Sequence, residues 1–306
     1  MPPADEVPVN QNPAVSPSRR ADAVLGRIVD GARRLASPLG GPSARLVELM
    51  LRPVYALYTR RLRGEVMSVA RPGHVAVIMD GNRRWARRQG FDDVGEGHRR
   101  GAEKALELVD WCADLGIREV TLWALSLENL GRPTEEVDTI ADVATESLAA
   151  IAEGRRRTRV PIRIRVIGRR EPLPARLREA VEASSDVSSA GAGLEVTVAL
   201  AYSGRDELVE AAQATVRDLV AAGVPVDRLA EGLTAEALAG HLYTRGSSDP
   251  DLIIRTSGEV RLSGFLPWQS VYSEYYFCDA DWPAFRQIDF LRAIRTYQAR
   301  ARRFGH

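Results

Sequence analysis

The chain has 306 residues, of which 45% are hydrophobic, so it can bury one large α/β core or two smaller ones. Its 42 basic and 41 acidic residues leave a net charge of +1, which argues against a nucleic-acid-binding protein, because such proteins carry a basic excess or a basic face. The two cysteines and four histidines form no CxxC or HxxxH spacing, so no zinc site is expected.

The N-terminal segment has two predicted parts. Residues 1–18 are polar and Pro-rich, which predicts a disordered tail without a secretory signal. Residues 19–66 form a predicted helical extension, with helices over 19–36 and 43–66. The second helix is amphipathic and basic near its end, so it either packs on the protein body or lies on a membrane surface. No stretch approaches the ~18 apolar residues of a membrane-spanning helix, and we expect a cytoplasmic protein, with peripheral membrane contact left open.

From residue 67 to residue 306 strands and helices alternate, which predicts a single α/β domain. We predict a central, mostly parallel, six-stranded sheet surrounded by helices. The strand patterns cover residues 74–79, 119–126, 162–168, 194–202, 252–256 and 272–278. The helical patterns cover residues 97–116, 134–155, 174–188, 205–222, 234–242 and 284–304. The strand over 162–168 alternates Ile with Arg, which predicts one solvated face and a place near a sheet edge.

Polar residues cluster where several predicted strands end. In an open parallel sheet, ligands bind beyond the carboxyl ends of the strands. The first strand ends in Asp80, Gly81, Asn82, Arg83 and Arg84. The second ends in SLENLGRP, which gives Ser126, Glu128, Asn129 and Arg132, and the fifth ends in RTSGEVRLSG, which gives Arg255, Thr256, Ser257, Glu259, Arg261 and Ser263.

These residue types favour one chemistry. Arginines give bidentate contacts to phosphate oxygens, and glycines let backbone N–H groups approach an anion. One or two carboxylates can hold Mg²⁺ together with substrate phosphates. Asp80 among arginines therefore predicts a metal and diphosphate site. The alternative is structural: Asp80 caps a helix and pairs with Arg83 or Arg84. The chain has no GxxxxGKS motif, and no GxGxxG follows the first strand, which disfavours nucleotide hydrolysis and dinucleotide redox chemistry.

Four segments carry a family resemblance: HVAVIMDGNRRWA, SLENLGRPTEEV, DLIIRTSGEVRLSGFLPWQSVYSEYYF and the terminal RRFGH. They resemble the cis-prenyltransferases, the undecaprenyl diphosphate synthase family, from about His74 to Gly305. The resemblance implies a homodimer with Mg²⁺ as cofactor. It also implies condensation of isopentenyl diphosphate with an allylic diphosphate, geranyl or farnesyl, to form a Z double bond. The N-terminal helix and the GFDDVGEGH loop are most similar to actinobacterial short-chain Z-farnesyl diphosphate synthases.

The resemblance also implies roles for individual residues. Asp80 would bind Mg²⁺ and assist departure of the allylic diphosphate, Asn129 would remove a proton, and Glu274 would be the second metal ligand. Arg303 and Gly305 fit a terminal Arg-x-Gly that reaches the partner subunit's site. Substrate contacts are implied for Gly81, Asn82, Arg83, Arg84, Trp85, His98, Ser126, Leu127, Glu128, Leu130, Arg132, Arg255, Arg261, Leu262 and Ser263.

Two positions differ from the pattern in other members of the family. Many long-chain members have Gly at the Arg83 position and an arginine in the loop over 91–97, which here is acidic. Some short-chain relatives place Leu at the Ala124 position, at the mouth of a tunnel expected between helices 97–116 and 134–155. From the overall resemblance to the short-chain members we expect a short product, with a long-chain undecaprenyl or decaprenyl diphosphate as the alternative.

Two other classes of protein compete with this hypothesis. The first is a non-catalytic partner subunit of a prenyltransferase complex, which is expected to lack Asp80, Asn82 and several arginines. The second is a phosphatase with Asp80 as its nucleophile. That chemistry needs a second aspartate two residues on, where this chain has Asn82.

Overall fold

The computed structural model describes residue 31 and residues 41–152, 160–186 and 193–300. Two compact units divide the chain between Leu62 and Arg63, within helix α1 (Gly41–Met67). Helix α1 confirms the helix predicted over 43–66, whereas the predicted tail and nearly all of the helix over 19–36 lie outside the described residues. Within the described ranges no helix is long and apolar enough to cross a membrane, and peripheral contact of α1 with a membrane stays a prediction.

Six strands form one sheet in the second unit: β1 (His74–Ile78), β2 (Glu119–Trp123), β3 (Ile162–Ile167), β4 (Leu194–Ala199), β5 (Leu252–Arg255) and β6 (Glu274–Phe277). All pairs are parallel, in the order β3-β4-β2-β1-β5-β6. The predicted parallel sheet is confirmed. So is the position of the strand over 162–168, since β3 lies at one edge and exposes Arg163.

The α-helices described in this unit are α2 (Asn82–Arg88), α3 (Gly95–Asp114), α4 (Thr134–Ala152), α5 (Ala175–Asp186), α6 (Gly204–Ala221), α7 (Leu229–Gly232), α8 (Ala235–Ala239) and α9 (Gln287–Ala299). The sequence predicts neither α2 nor α7. Helix α2 buries only Ala86, so it lacks the apolar stripe by which helices are recognised in a sequence. Helix α9 begins three residues later than predicted, because Trp282–Ala284 forms a separate 3₁₀ turn.

The burial of β1 follows from its place in the sheet. It has a neighbour on each side, and all five residues of HVAVI are buried. A continuous apolar run is typical of a strand covered on both faces. β1 and β5 are therefore adjacent central strands, and whatever follows their carboxyl ends lies at the same edge of the sheet.

Candidate active site

Two of the predicted site residues, Asp80 and Arg255, meet at the carboxyl ends of β1 and β5. Ile78 pairs with Arg255 in the sheet register, and Asp80 follows two residues later. Arg255 Nη2 donates to Asp80 Oδ2 at 2.9 Å, and the Arg255 side chain is almost fully buried. Asp80 also faces Arg84 Nη2, with 3.7 Å between that nitrogen and Asp80 Oδ1. The sheet thus places one carboxylate between two guanidinium groups.

A tight turn delivers Asp80 into this position. The Thr256 hydroxyl donates to Asp80 O at 2.7 Å, and Trp282 N donates to the same oxygen at 2.9 Å. Gly81 follows with φ of 105°, and a Cβ there would lie 2.6 Å from Asp281 Oδ1, so only glycine fits. The N-cap residue of α2 is Gly81, so Asp80 does not cap this helix. Asp80 does pair with Arg84, as the structural alternative expected.

A pocket of about 640 Å³ opens at this edge of the sheet. It brings together most of the predicted site residues, from four separate segments: Asp80, Gly81, Asn82, Arg83, Arg84, His98, Ser126, Glu128, Asn129, Arg132, Arg255, Arg261 and Ser263. With Arg87 the pocket is lined by six arginines but only two carboxylates, Asp80 and Glu128. This excess of positive charge suits a ligand that carries several negative charges.

Carboxylates around the pocket hold its arginines in two groups. Glu259 contacts Arg84 Nη2 at 3.4 Å and also bonds Arg261, which links these two arginines to the Asp80 pair. On the opposite side, Glu136 Oε1 lies 2.9 Å from Arg132 Nη1. His98 on α3 faces the same oxygen at 3.4 Å, and burial lowers the pKa of its imidazole below the ordinary 6.5, although Glu136 opposes the shift.

Of the predicted residues that the structure describes, five lie outside the pocket lining, whereas the predicted Arg303 and Gly305 lie outside the described residues. Trp85 stacks on Phe91 with 5.8 Å between ring centroids, and Leu262 packs against the core. Leu127 lines a separate surface pocket, and Leu130 lies in a 3₁₀ turn.

Glu274 is the fifth predicted residue that does not line the pocket. It begins β6 and pairs with Leu252, whereas Phe277 pairs with Arg255. Glu274 is therefore three residues, or about 10 Å, from the strand end where Asp80 lies. Within one chain the fold does not bring Glu274 and Asp80 together, and Glu274 is bonded to Arg300 instead. A shared metal site for these two carboxylates stays a prediction.

The donors in the pocket suit Mg²⁺ only together with a phosphorylated substrate. Across the described ranges, no group of three or more His, Cys, Asp or Glu side chains could hold a metal ion. Mg²⁺ does not require such a group, because it is commonly bound through one or two carboxylates plus substrate phosphates and water. The Asp80 side chain is 32% exposed, so its carboxylate is accessible from the pocket. Asp80 fits the role of the single protein carboxylate in such a site.

An apolar cavity of about 80 Å³ adjoins the pocket between α3 and α4. The two share five lining residues, Met79, Asn82, His98, Ala124 and Ile140. The deeper wall is apolar or small: Gly101, Ala102, Ala105, Leu106, Leu122, Val143, Ala144, Ser147, Leu148, Ile151, Val198 and Trp282. The location of this cavity agrees with the tunnel expected between the helices over 97–116 and 134–155. The site therefore joins an anion pocket to a hydrocarbon-lined cavity.

Sequence reasoning missed several lining residues. Arg87 lies on the unpredicted helix α2, and Trp123 ends β2 and stacks on Phe265 with 5.0 Å between centroids. Trp123 could have been found from the same strand-end rule that indicated Ser126. Arg87 required knowledge that α2 is a helix, which places it one turn from Arg83.

The fold and the site define a class: an α/β protein with an arginine-lined pocket beyond the carboxyl ends of a parallel sheet and an apolar cavity beside it. A family model described as putative undecaprenyl diphosphate synthase matches residues 78–305. The chain belongs to this family of cis-prenyltransferases, enzymes that transfer prenyl groups.

Individual relatives agree with this assignment. The chain is 47% identical over 254 residues to an isoprenyl transferase of Thermus thermophilus, covering 83% of this chain and 96% of the relative. It is also 47% identical over 254 residues to a (2Z,6E)-farnesyl diphosphate synthase of Thermobifida fusca, covering 83% and 97%. Lavandulyl diphosphate synthase from Lavandula x intermedia, solved with dimethylallyl diphosphate, superposes with a TM-score of 0.71 at 34% identity, covering 79% of this chain and all of that one.

Proposed function

We propose that the protein condenses isopentenyl diphosphate with an allylic diphosphate, and that its product is a short Z-configured prenyl diphosphate of the Z-farnesyl type. One observation carries the proposal: the arginine-lined pocket adjoins an apolar cavity and shares five lining residues with it. A prenyl diphosphate has the matching composition, with a diphosphate at one end and a hydrocarbon chain at the other. The family membership and the Z-farnesyl diphosphate synthase of Thermobifida fusca support the same reaction.

The pocket residues account for the steps of this reaction. The carbon–oxygen bond of the allylic substrate breaks, and its electron pair leaves with the diphosphate. Arg84 would neutralise part of the charge of that leaving group, and Mg²⁺ held by Asp80 would supply further positive charge. The double bond of isopentenyl diphosphate then forms the new carbon–carbon bond, and the released diphosphate takes the proton that is lost, with Asn129 in the pocket wall to direct its removal. Arg132, Arg255, Arg261 and Ser263 would hold isopentenyl diphosphate, so the two substrates would occupy two anion sites of one pocket.

The size of the apolar cavity favours a short product over an undecaprenyl or decaprenyl chain. The cavity measures about 80 Å³, so its walls would have to move much further for an undecaprenyl chain than for a fifteen-carbon one. Its walls include the buried side chains of Leu148 and Ile151. A chain that lengthens into this cavity would therefore meet these two side chains.

The direct test is the product itself. We expect the purified protein, given Mg²⁺, isopentenyl diphosphate and geranyl diphosphate, to form a fifteen-carbon product with a Z double bond, identified by mass spectrometry and comparison with authentic isomers. Farnesyl diphosphate in place of geranyl diphosphate tests the long-chain alternative. No elongated product from folded protein would contradict the proposal, and turnover by the protein alone would exclude a non-catalytic partner subunit.

We also propose that the protein is a homodimer. β6 is an edge strand, and its Tyr275 and Phe277 rings lie on one face with 6.4 Å between centroids. Val271 and Tyr272, just before this strand, are mostly exposed. An apolar edge of this kind favours contact with a second copy of the chain. Light scattering is expected to give twice the chain mass of 33.6 kDa, and a monomer at micromolar concentration would contradict the proposal.

A further inference from the structure

One carboxylate, Glu136, contacts three basic side chains of the pocket through a single oxygen. It lies in the first turn of α4, and its side chain is only 9% exposed. Glu136 Oε1 is 2.9 Å from Arg132 Nη1, 3.4 Å from His98 Nε2 and 3.8 Å from Arg83 Nε. The three partners belong to α2, α3 and the segment before α4, so this carboxylate joins three parts of the pocket wall.

Glu136 itself does not line the pocket, whereas Arg83, His98 and Arg132 all do. We propose that Glu136 is a positioning residue that holds Arg83 and Arg132 side by side as one anion-binding pair. This inference rests on the proposed function, because it assumes that the pocket binds diphosphates. It concerns this chain in particular, because one of the three groups that Glu136 contacts is Arg83, at a position where many long-chain members have Gly.

The electrostatics show why such a residue is needed. Arg83 Nε and Arg132 Nη1 lie 3.8 Å and 2.9 Å from the same Glu136 oxygen, so their guanidinium groups are close enough to repel each other. Burial and the charge of Arg83 both lower the pKa of Arg132. Glu136 opposes that shift, and it stands near the N-terminus of α4, where a negative charge is favoured. Without this carboxylate, repulsion would drive the two arginines apart before a substrate arrives.

The contacts leave the pair able to bind a ligand. Glu136 meets Arg83 at Nε, and its ion pair with Arg132 uses Nη1. Among the described residues, these ion pairs leave both terminal nitrogens of Arg83 and Nη2 of Arg132 unused, and the Arg83 side chain is 45% exposed. Planar guanidinium groups bind phosphate oxygens with two parallel hydrogen bonds when they are held in orientation. Glu136 supplies that orientation from behind the pocket wall.

The test compares Glu136→Gln with Glu135→Gln, an exposed neighbour in the same turn. We expect Glu136→Gln to lower kcat/KM about tenfold, within the coupling range of interacting charged residues, and Glu135→Gln to leave it unchanged. In an Arg83→Gln background the effect of Glu136→Gln is expected to shrink, because only one arginine remains to be held. Equal losses in both backgrounds would overturn the proposal, since a purely structural role predicts them.

A second readout does not depend on turnover. Burial lowers the pKa of His98, and the charge of Glu136 opposes that shift. Glu136→Gln is therefore expected to lower the pKa of this imidazole further in an NMR titration, whereas Glu135→Gln is not. Calorimetric titration with inorganic diphosphate is expected to show weaker binding to Glu136→Gln.

If the wild type binds diphosphate but makes no prenyl product, the proposed function fails while this inference stands. An unchanged imidazole pKa together with unchanged diphosphate binding would overturn the inference. Should Glu136→Gln not fold, Glu136→Asp, which retracts the carboxylate, carries the same test through diphosphate binding.

Discussion

Replacing Asp80 with Asn is expected to lower kcat by a factor on the order of 10³ while the protein stays folded, since preorganised electrostatic groups contribute effects of that size. The substitution preserves the shape of the side chain and an oxygen for Arg255, which now donates to Asp80 Oδ2 at 2.9 Å. It removes the negative charge that would hold Mg²⁺ against the leaving diphosphate. Steady-state turnover with isopentenyl and geranyl diphosphates at saturating Mg²⁺ measures the loss.

The matched control for this variant is Asp92→Asn. Asp92 is exposed in the loop before α3 and does not line the pocket, so the same change of charge is expected to leave kcat unaltered. The melting temperature of both variants needs to be followed, because Arg255 is almost fully buried and loses a charged partner when Asp80 is replaced. A folded Asp80→Asn protein that retains wild-type kcat would contradict the role proposed for this carboxylate.

Leu148→Ala is expected to shift the main product to a longer chain. Leu148 lies on α4, is 2% exposed and belongs to the deep wall of the apolar cavity. Truncating a buried leucine leaves a cavity and costs about 2.7–5 kcal/mol of folding stability, and here the added space continues the cavity that would receive the growing chain. Product analysis by mass spectrometry, with isopentenyl diphosphate in excess, is expected to show chains beyond fifteen carbons as the main species.

The control for Leu148→Ala is Leu177→Ala. Leu177 lies on α5, is fully buried and lines neither the pocket nor the cavity. Both variants lose the same atoms, so both are expected to lower the melting temperature, but only Leu148→Ala is expected to change product length. The same product distribution in both variants would show that this wall does not limit elongation.

The sequence was sufficient for the sheet and for much of the pocket, because each depends on local patterns. Apolar runs such as HVAVI predict buried strands, and the polar residues that follow them predict the site, since parallel strands end at one edge. The contact between Asp80 and Arg255 could not be derived in this way. The two residues are 175 positions apart, and they meet only because β5 lies beside β1.

The residues that sequence reasoning missed have a common physical cause. Glu136 reads as an ordinary acidic residue in the first turn of a helix, and only the packing of α2 and α3 against α4 places three basic side chains on it. Glu274 depends on packing in a different way, and its role as a metal ligand stays a prediction. Its motif is intact, yet the register of β6 puts it about 10 Å from the strand end. Side-chain roles carried over from a motif remain incomplete until the register is known.

The strand order also determines when the site can form. β1 is made early in synthesis, yet one of its two neighbours, β5, comes from the last fifth of the chain. Until β5 docks, one edge of this apolar strand has no partner and Asp80 has no Arg255 beside it. Contacts of such long sequence separation form slowly, because the loop between them must close first. Recovery of diphosphate binding during refolding is therefore expected to lag behind recovery of helix content, and the nascent chain has no complete active site until β5 has been synthesised.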